Sequence, residues 1–280
     1  MKQKIGFIGA GNMAEAIIGA VVRSALVLPQ NVCASDIRGE RLDYLKETYD
    51  ITTSTDNASL FSDADIVFLA VKPQQMEQVL SEITAASSYN VPCRKLVVSI
   101  AAGVRIQKIE SALYTSLTPE AQSRLAIIRV MPNTPALVLK GISGMSPNAN
   151  TTGEDLANAR SILETMGKVI EFAEEDLDAV TALSGSGPAY VFFLTELMIT
   201  AGIKLGLAPE NAKALAIRTL EGAVALMTQT EESPETLRAK VTSPGGTTEA
   251  AIRWMTDHQV QAHVVNAILA AANRSRELSR

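Results

Sequence analysis

Cysteine, histidine and aromatic residues are scarce in this 280-residue chain, which has two cysteines, two histidines, one tryptophan and 4% aromatics in all. Cys33 and Cys93 stand far apart with no Cys-x-x-Cys spacing. That excludes a disulfide framework and a cysteine-held zinc site, and it fits a reducing, cytoplasmic setting. His258 and His263 are five residues apart, off the i, i+4 face on which a helix presents a metal pair, so no metal is expected. A Ser-His-Asp hydrolase is hard to assemble from the same two histidines. Positive charge is short as well: 25 Lys and Arg against 30 Asp and Glu leave a formal net charge of −5. No broad basic face is then available to neutralise a phosphate backbone, and nucleic acid is not an expected partner. The start, Met1-Lys2-Gln3-Lys4, runs into an apolar strand and not into a signal peptide's long apolar region, so we expect a chain neither exported nor membrane-bound. Internal repeats and low-complexity tracts are missing too.

What the chain does have is 47% hydrophobic residues, enough for a large core, at a length that usual domain sizes divide into about two units. Its first half alternates short apolar runs with longer amphipathic stretches, the signature of strand, helix, strand crossovers. Strands are expected at 4–8, 31–35, 66–70, 96–100, 126–131, 143–147 and 168–171, with crossover helices at 13–24 and 38–49. Beyond residue 173 no strand-like run remains and the rest reads as helix. The boundary therefore goes between a first domain at 1–173 and an all-α domain at 174–280. Glu174, Glu175, Asp176 and Asp178 lie at that junction and read as a solvated helix start. Residues 188–203 are almost all apolar apart from Thr195, Glu196 and Thr200. A membrane span would need about twenty apolar residues and would not welcome a central glutamate. We read a buried helix covered by a second subunit, which makes the helical half a dimerisation domain.

Gly9, Gly11 and Ala14 form Gly-x-Gly-x-x-Ala between the first strand and first helix. Gly9 permits a tight turn, Gly11 lets a pyrophosphate approach the backbone, and Ala14 allows close helix-to-strand packing, while amides at the helix start hold the anion. The fold class expected is thus α/β, a doubly wound parallel sheet of Rossmann type followed by an all-α dimerisation domain. At the end of the second strand, Asp36 suits a free ribose 2′-hydroxyl, whereas Ser35 and Arg38 suit a 2′-phosphate. The signals conflict; NADPH is preferred by a narrow margin and NADH is acceptable. Ala70-Val71-Lys72-Pro73 follows the third apolar run, which places Lys72 at the cofactor cleft with Pro73 stiffening the turn.

Further stretches carry a family signature: Met131-Pro132-Asn133-Thr134-Pro135, Leu183-Ser184-Gly185-Ser186-Gly187-Pro188-Ala189-Tyr190, and Ser243-Pro244-Gly245-Gly246-Thr247-Thr248. With Phe7-Ile8-Gly9-Ala10-Gly11-Asn12-Met13 and Ala70-Val71-Lys72-Pro73, they occur in the order of the pyrroline-5-carboxylate reductases, which the chain resembles over nearly its whole length. The resemblance implies hydride transfer from NADPH or NADH to the imine of 1-pyrroline-5-carboxylate, giving L-proline in the last step of proline biosynthesis. It implies cofactor contacts at Ile8, Gly9, Ala10, Gly11, Asn12, Met13, Ser35, Asn57, Ile100, Ala101 and Ala102, and substrate contacts at Glu231, Gly246, Thr247 and Thr248. Asp36 departs from what a phosphate-binding member would be expected to carry. The last stretch also has a physical reading. A proline and two glycines break one helix and leave the amides of Gly246, Thr247 and Thr248 free at the next, where a substrate carboxylate docks. Thr248, as the catalytic residue, offers its hydroxyl to the ring nitrogen. Histidine is dispensable, because an imine arrives partly protonated and the protein positions and polarises. The family further implies a homo-oligomer, at least a dimer and up to a ring of dimers.

Two other readings compete. A 3-hydroxyacid-dehydrogenase-like reductase would need a helix-borne lysine, with Lys204 and Lys213 as candidates that have no motif around them. A nucleotide-sensing regulator with the same fold would bind cofactor without turnover.

Overall fold

A computed structural model describes residues 1–279. Its first part is one eight-stranded sheet in the order β3-β2-β1-β4-β5-β6-β7-β8, built from β1 (Ile5–Ile8), β2 (Val32–Ser35), β3 (Thr52–Ser54), β4 (Ile66–Leu69), β5 (Lys95–Ser99), β6 (Leu125–Met131), β7 (Gly141–Pro147) and β8 (Gly167–Glu171). Every neighbouring pair is parallel except β6 with β7. The expected strands are present with ends shifted by a residue or two. β3 is an addition: its Thr-Thr-Ser sequence lies at the sheet edge with only partial burial and has no apolar run to announce it. β1 and β4 are buried at all four positions, as strands covered on both faces must be. Phe7 and Phe68 stack across them with ring centroids 4.8 Å apart.

Strand order reverses between β1 and β4, with β2 and β3 on one side and β5 onward on the other. In an open α/β sheet the crevice at the carboxyl ends of such strands is where ligands bind. The crossover helices Asn12–Arg23 and Gly39–Tyr49 form close to the expected 13–24 and 38–49.

The acidic junction differs from its sequence reading. Glu174 accepts a bond from Arg129 at 3.1 Å and another from the Ile106 backbone N–H at 2.7 Å, and Arg129 is only 4% exposed. Asp178, 3% exposed, accepts from the Ser275 hydroxyl at 2.6 Å and the Ser279 hydroxyl at 3.2 Å. These two carboxylates are structural anchors and not part of a solvated run. A buried arginine or aspartate needs its partner, since an uncompensated charge there costs several kcal/mol.

The chain divides into two compact units, one of Met1–Gly185 with the chain's end from Ala271 and one of Ser186–Ala270. The second is all helical: Gly187–Lys204, Pro209–Thr230, Pro234–Lys240, Thr247–Asp257 and the first half of Val260–Leu278. Gly187–Lys204 and Pro209–Thr230 cross closely at Gly202, where a β-carbon would lie 2.9 Å from the Ala212 Cβ. Helix Gly187–Lys204 has no buried residue in the single chain, and Phe192 and Phe193 are each 62% exposed. The longer helical run that ends with it, Glu174–Lys204, is long and apolar enough to cross a membrane by length and composition alone.

Candidate active site

In the first unit, the glycine loop passes between neighbouring strand ends. The Gly9 N–H donates to Ser35 O at 2.8 Å, and the Ala70 N–H donates to Ile8 O at 2.8 Å. Gly9 has φ +95°, and a β-carbon there would lie 2.8 Å from the Ala70 carbonyl and the Val71 nitrogen. Only glycine fits both demands. Gly11 caps helix Asn12–Arg23 with an extended backbone and no side-chain bond, and a β-carbon on it would meet nothing within 4 Å. The backbone is thus open at Gly11, directly before the first-turn amides of Asn12 and Met13, and a helix start of this kind is where a pyrophosphate binds. Ala14, 1% exposed, seats the helix on the sheet. The residues present therefore fit a dinucleotide.

Ala10 is held on both sides. Its N–H donates to Asp36 Oδ2 at 2.9 Å, and its carbonyl accepts from Arg41 Nε at 2.6 Å. Asp36 also accepts from the Arg38 backbone at 3.0 Å and from the Arg38 guanidinium at 3.0 and 3.2 Å. Burial alone would raise the Asp36 pKa, but the Arg38 guanidinium and the Ala10 and Arg38 amides outweigh it and hold the carboxyl below its usual range. Glu15 behaves the same way: burial pushes it up, while Arg41 and the Tyr44 and Tyr49 hydroxyls bring it down. Ser35 donates to Asn57 Oδ1 at 2.6 Å, and Asn57 donates in turn to Glu82 at 3.0 Å. Glu15, Arg41 and Glu82 were not foreseen from the sequence, since each meets its partner through the tertiary fold.

At the β4 end, Lys72 precedes helix Pro73–Ala85, with Pro73 in its first turn. Lys72 is exposed and has no ion-pair partner among the described residues. At the β5 end, the Ile100 N–H donates to Leu69 O at 3.1 Å, Ala101 is buried, Ala102 is exposed and Gly103 turns at φ +75°. Next to it Ser99, fully buried, has the hydroxyl oxygen that finds no partner among the described residues. Two of the motif stretches also meet in this unit. Asn133 donates to Ser184 O at 3.2 Å and accepts from the Ile142 N–H at 2.9 Å. It thereby pins the π-helical turn Thr181–Gly185, a kind of turn that often marks functional positions.

In the second unit, Gly245 turns at φ +71° and Gly246 caps helix Thr247–Asp257. The Gly246 N–H is not free: it donates to Ser243 O at 3.0 Å, closing the turn. The amides of Thr247 and Thr248 remain at the helix start, no side chain caps the helix, and neither threonine hydroxyl has a hydrogen-bond partner among the described residues. Glu249 reaches back to the Gly245 N–H at 2.8 Å. Glu231 ends helix Pro209–Thr230 in the left-handed region at φ 55° and makes no hydrogen bond to this turn. His258 stacks on Trp254 with ring centroids 3.9 Å apart, a local packing role.

Family models match both halves of the chain. Residues 174–278 match pyrroline-5-carboxylate reductase dimerisation, and residues 4–103 match a coenzyme F420-dependent NADP oxidoreductase model. A pyrroline-5-carboxylate reductase of Corynebacterium melassecola is 42% identical over 276 residues, covering 99% of this chain and 98% of the relative. Among solved structures, a pyrroline-5-carboxylate reductase from Coxiella burnetii superposes with TM-score 0.88 at 36% identity, covering 100% of both chains. The Plasmodium falciparum pyrroline carboxylate reductase with NADP bound gives TM-score 0.85 at 30% identity over 99% of this chain and 98% of that one.

Proposed function

This chain belongs to the pyrroline-5-carboxylate reductase family, and from that membership we propose how its residues carry the reaction. It is an NAD(P)H-dependent oxidoreductase of proline biosynthesis that reduces the C=N bond of 1-pyrroline-5-carboxylate to L-proline. When bound, the cofactor supplies a hydride to the imine carbon. The ring nitrogen ends with a proton from solvent or from substrate that arrives protonated. The first unit holds the dinucleotide: Ile8 to Met13 and the amides after Gly11 at the pyrophosphate, Ser35, Asp36, Arg38 and Asn57 at the adenosine end, Ala70 to Pro73 beside the cleft, and Ile100 to Ala102 on the nicotinamide side.

Substrate binding rests on one observation above the others: the turn at Gly245 and Gly246 opens a helix whose first amides and two threonine hydroxyls are unengaged among the described residues. The Thr247 and Thr248 amides hold the substrate carboxylate, and the Thr248 hydroxyl orients the ring nitrogen. Glu231 lines the same pocket, and Gly246 contributes an unencumbered backbone and not a donor. We assign residues 1–173 to the cofactor and 174–280 to dimerisation and substrate binding. The chain forms a homo-oligomer through its helical half, and we take the assembly to be at least a dimer, built further into a ring of dimers. The exposed apolar helix Gly187–Lys204 is then an interface with a second copy, and the protein is cytoplasmic, with neither membrane nor nucleic acid as partner.

Mixing the protein with NADPH or NADH and 1-pyrroline-5-carboxylate and following loss of cofactor absorbance tests the whole reading; no loss with either cofactor would sink it. Thr248→Ala should lower turnover by about 100-fold, the scale of an orienting group, while cofactor affinity stays within about twofold. Equal loss of both would contradict the role. Retained activity in Lys204→Ala and Lys213→Ala excludes a lysine mechanism.

A further inference from the structure

The segment that follows β5, Ile100 to Ile106, leaves the sheet at the crevice end and is fastened at three points. At its start the Ile100 N–H donates to Leu69 O at 3.1 Å. At its end, helix Ile106–Leu113 begins without a side-chain cap from Arg105, and Glu174 supplies one across 68 residues by accepting from the Ile106 N–H at 2.7 Å. In between, Gly103 turns at φ +75° against the chain's last helix. A β-carbon on it would lie 3.1 Å from the Leu278 carbonyl oxygen and 3.3 Å from the Leu278 Cβ. The loop's own closing bond, Val104 N–H to Ala101 O, is long at 3.4 Å, so its position depends on these outside supports.

Leu278 ends helix Val260–Leu278, whose last turns pack as part of the first unit and bury Ala272 and Ser275. The Ser275 hydroxyl donates to Asp178 Oδ1 at 2.6 Å, and the Ser279 hydroxyl donates to the same oxygen at 3.2 Å. Bonds from hydroxyls to a carboxylate are of the short, strong kind, and Asp178 is 3% exposed. It stands four residues after Glu174 in the acidic junction. One acidic turn therefore holds the loop twice: Glu174 at Ile106 directly, and Asp178 at Gly103 through the chain's last helix.

We propose that Asp178, with Ser275 and Ser279, positions the nicotinamide end of the cofactor. It clamps the last helical turns against Gly103, and the Leu278 backbone then sets the place of Ile100 to Ala102 beside the ring. This rests on the cofactor assignment above and deepens it. Asp178 acts through Leu278 and Gly103, and what it governs is the distance and angle at which hydride is offered, where an error of about 1 Å costs up to about 100-fold in rate.

The full-length protein is titrated calorimetrically with whichever of NADH and NADPH it binds more tightly, and with the same nucleotide lacking its nicotinamide ring, ADP-ribose or its 2′-phosphate. Ser275→Ala with Ser279→Ala should weaken the intact dinucleotide by about tenfold and leave the ring-free nucleotide within about twofold. In the same variant kcat should fall about tenfold while the KM for the imine stays within about twofold. Asp178→Asn keeps an acceptor oxygen and should restore most of what Asp178→Ala loses. Should the buried changes fail to fold, Ser279→Ala alone removes the longer bond at the partly buried end, and it should show the same split at about threefold. A ratio of the two affinities that does not move in whichever of these variants folds overturns the proposal and leaves the reductase reading standing. A wild type that binds neither NADH nor NADPH overturns that reading, and this proposal with it.

Discussion

The two units satisfy their side chains in opposite ways. In the first, strands β1, β4 and β5 are wholly buried, aromatic rings stack inside the sheet, and buried charges such as Arg129 and Asp178 each have a partner. In the second, the longest apolar helix buries nothing in the single chain, and Val191, Phe192, Phe193 and Leu197 stay at least half exposed. A monomer rarely leaves so much contiguous apolar surface uncovered. The first unit therefore has the makings of a self-sufficient fold, whereas the second acquires its full core only by association.

Breaking the first unit at its tightest point should have the largest effect. Gly9→Val puts a branched side chain at φ +95° against the backbone of Ala70 and Val71. We expect loss of measurable NADH and NADPH binding, and destabilisation of about 3 kcal/mol or more from strain and overpacking together. Titration and denaturant unfolding check the two parts, and native-like cofactor affinity would contradict the assignment of the loop.

Breaking the second unit should act on assembly and spare the first unit. Phe192→Glu with Phe193→Glu removes two apolar side chains, each worth about 1.5–3 kcal/mol when fully buried, and places charge on the interface. Sedimentation should show a smaller species at micromolar concentration, while cofactor binding persists. An unchanged oligomer would place the interface elsewhere.

The smallest effect is a pH slope confined to the first unit. The Lys95 ammonium donates to the backbone carbonyls of Phe61, at 2.7 Å, and Ala64. Burial lowers its pKa from 10.5 to about 8. Between those values the unfolded chain binds a proton that the folded chain does not, so this group makes stability rise with pH from about 8 to about 10.5, and its contribution is flat below that window. Lys95→Met should remove that part of the slope in denaturant midpoints read between pH 7.5 and 10.5; an identical slope would mean the ammonium stays charged in the fold.

Central strands were legible because a parallel strand buried on both faces reads as an unbroken apolar run, as Ile66–Leu69 does. The edge strand Thr52–Ser54 was not, being short and polar. The glycine loop was legible from three small residues at fixed spacing. Long-range pairings were not, neither the loop's own support, where Asp36 meets Ala10 across 26 residues, nor the anchors of the acidic junction, where Glu174 meets Arg129 across 45 and Ser275 meets Asp178 across 97. No local pattern encodes such pairings, which arise only once neighbouring strands are in register. The Gly246 amide was misjudged for a related reason, because turn closure onto Ser243 competes for the same donor.

The bonds on either side of Ala10 have a thermodynamic corollary. A segment already fixed at both its amide and its carbonyl has little freedom left to lose when a ligand arrives, so the entropic penalty of ordering it was met during folding. Cofactor capture by this loop is then a rigid docking event, with amide hydrogen exchange around Gly9 and Ala10 equally slow with and without nucleotide, and with an association rate limited by encounter and not by rearrangement.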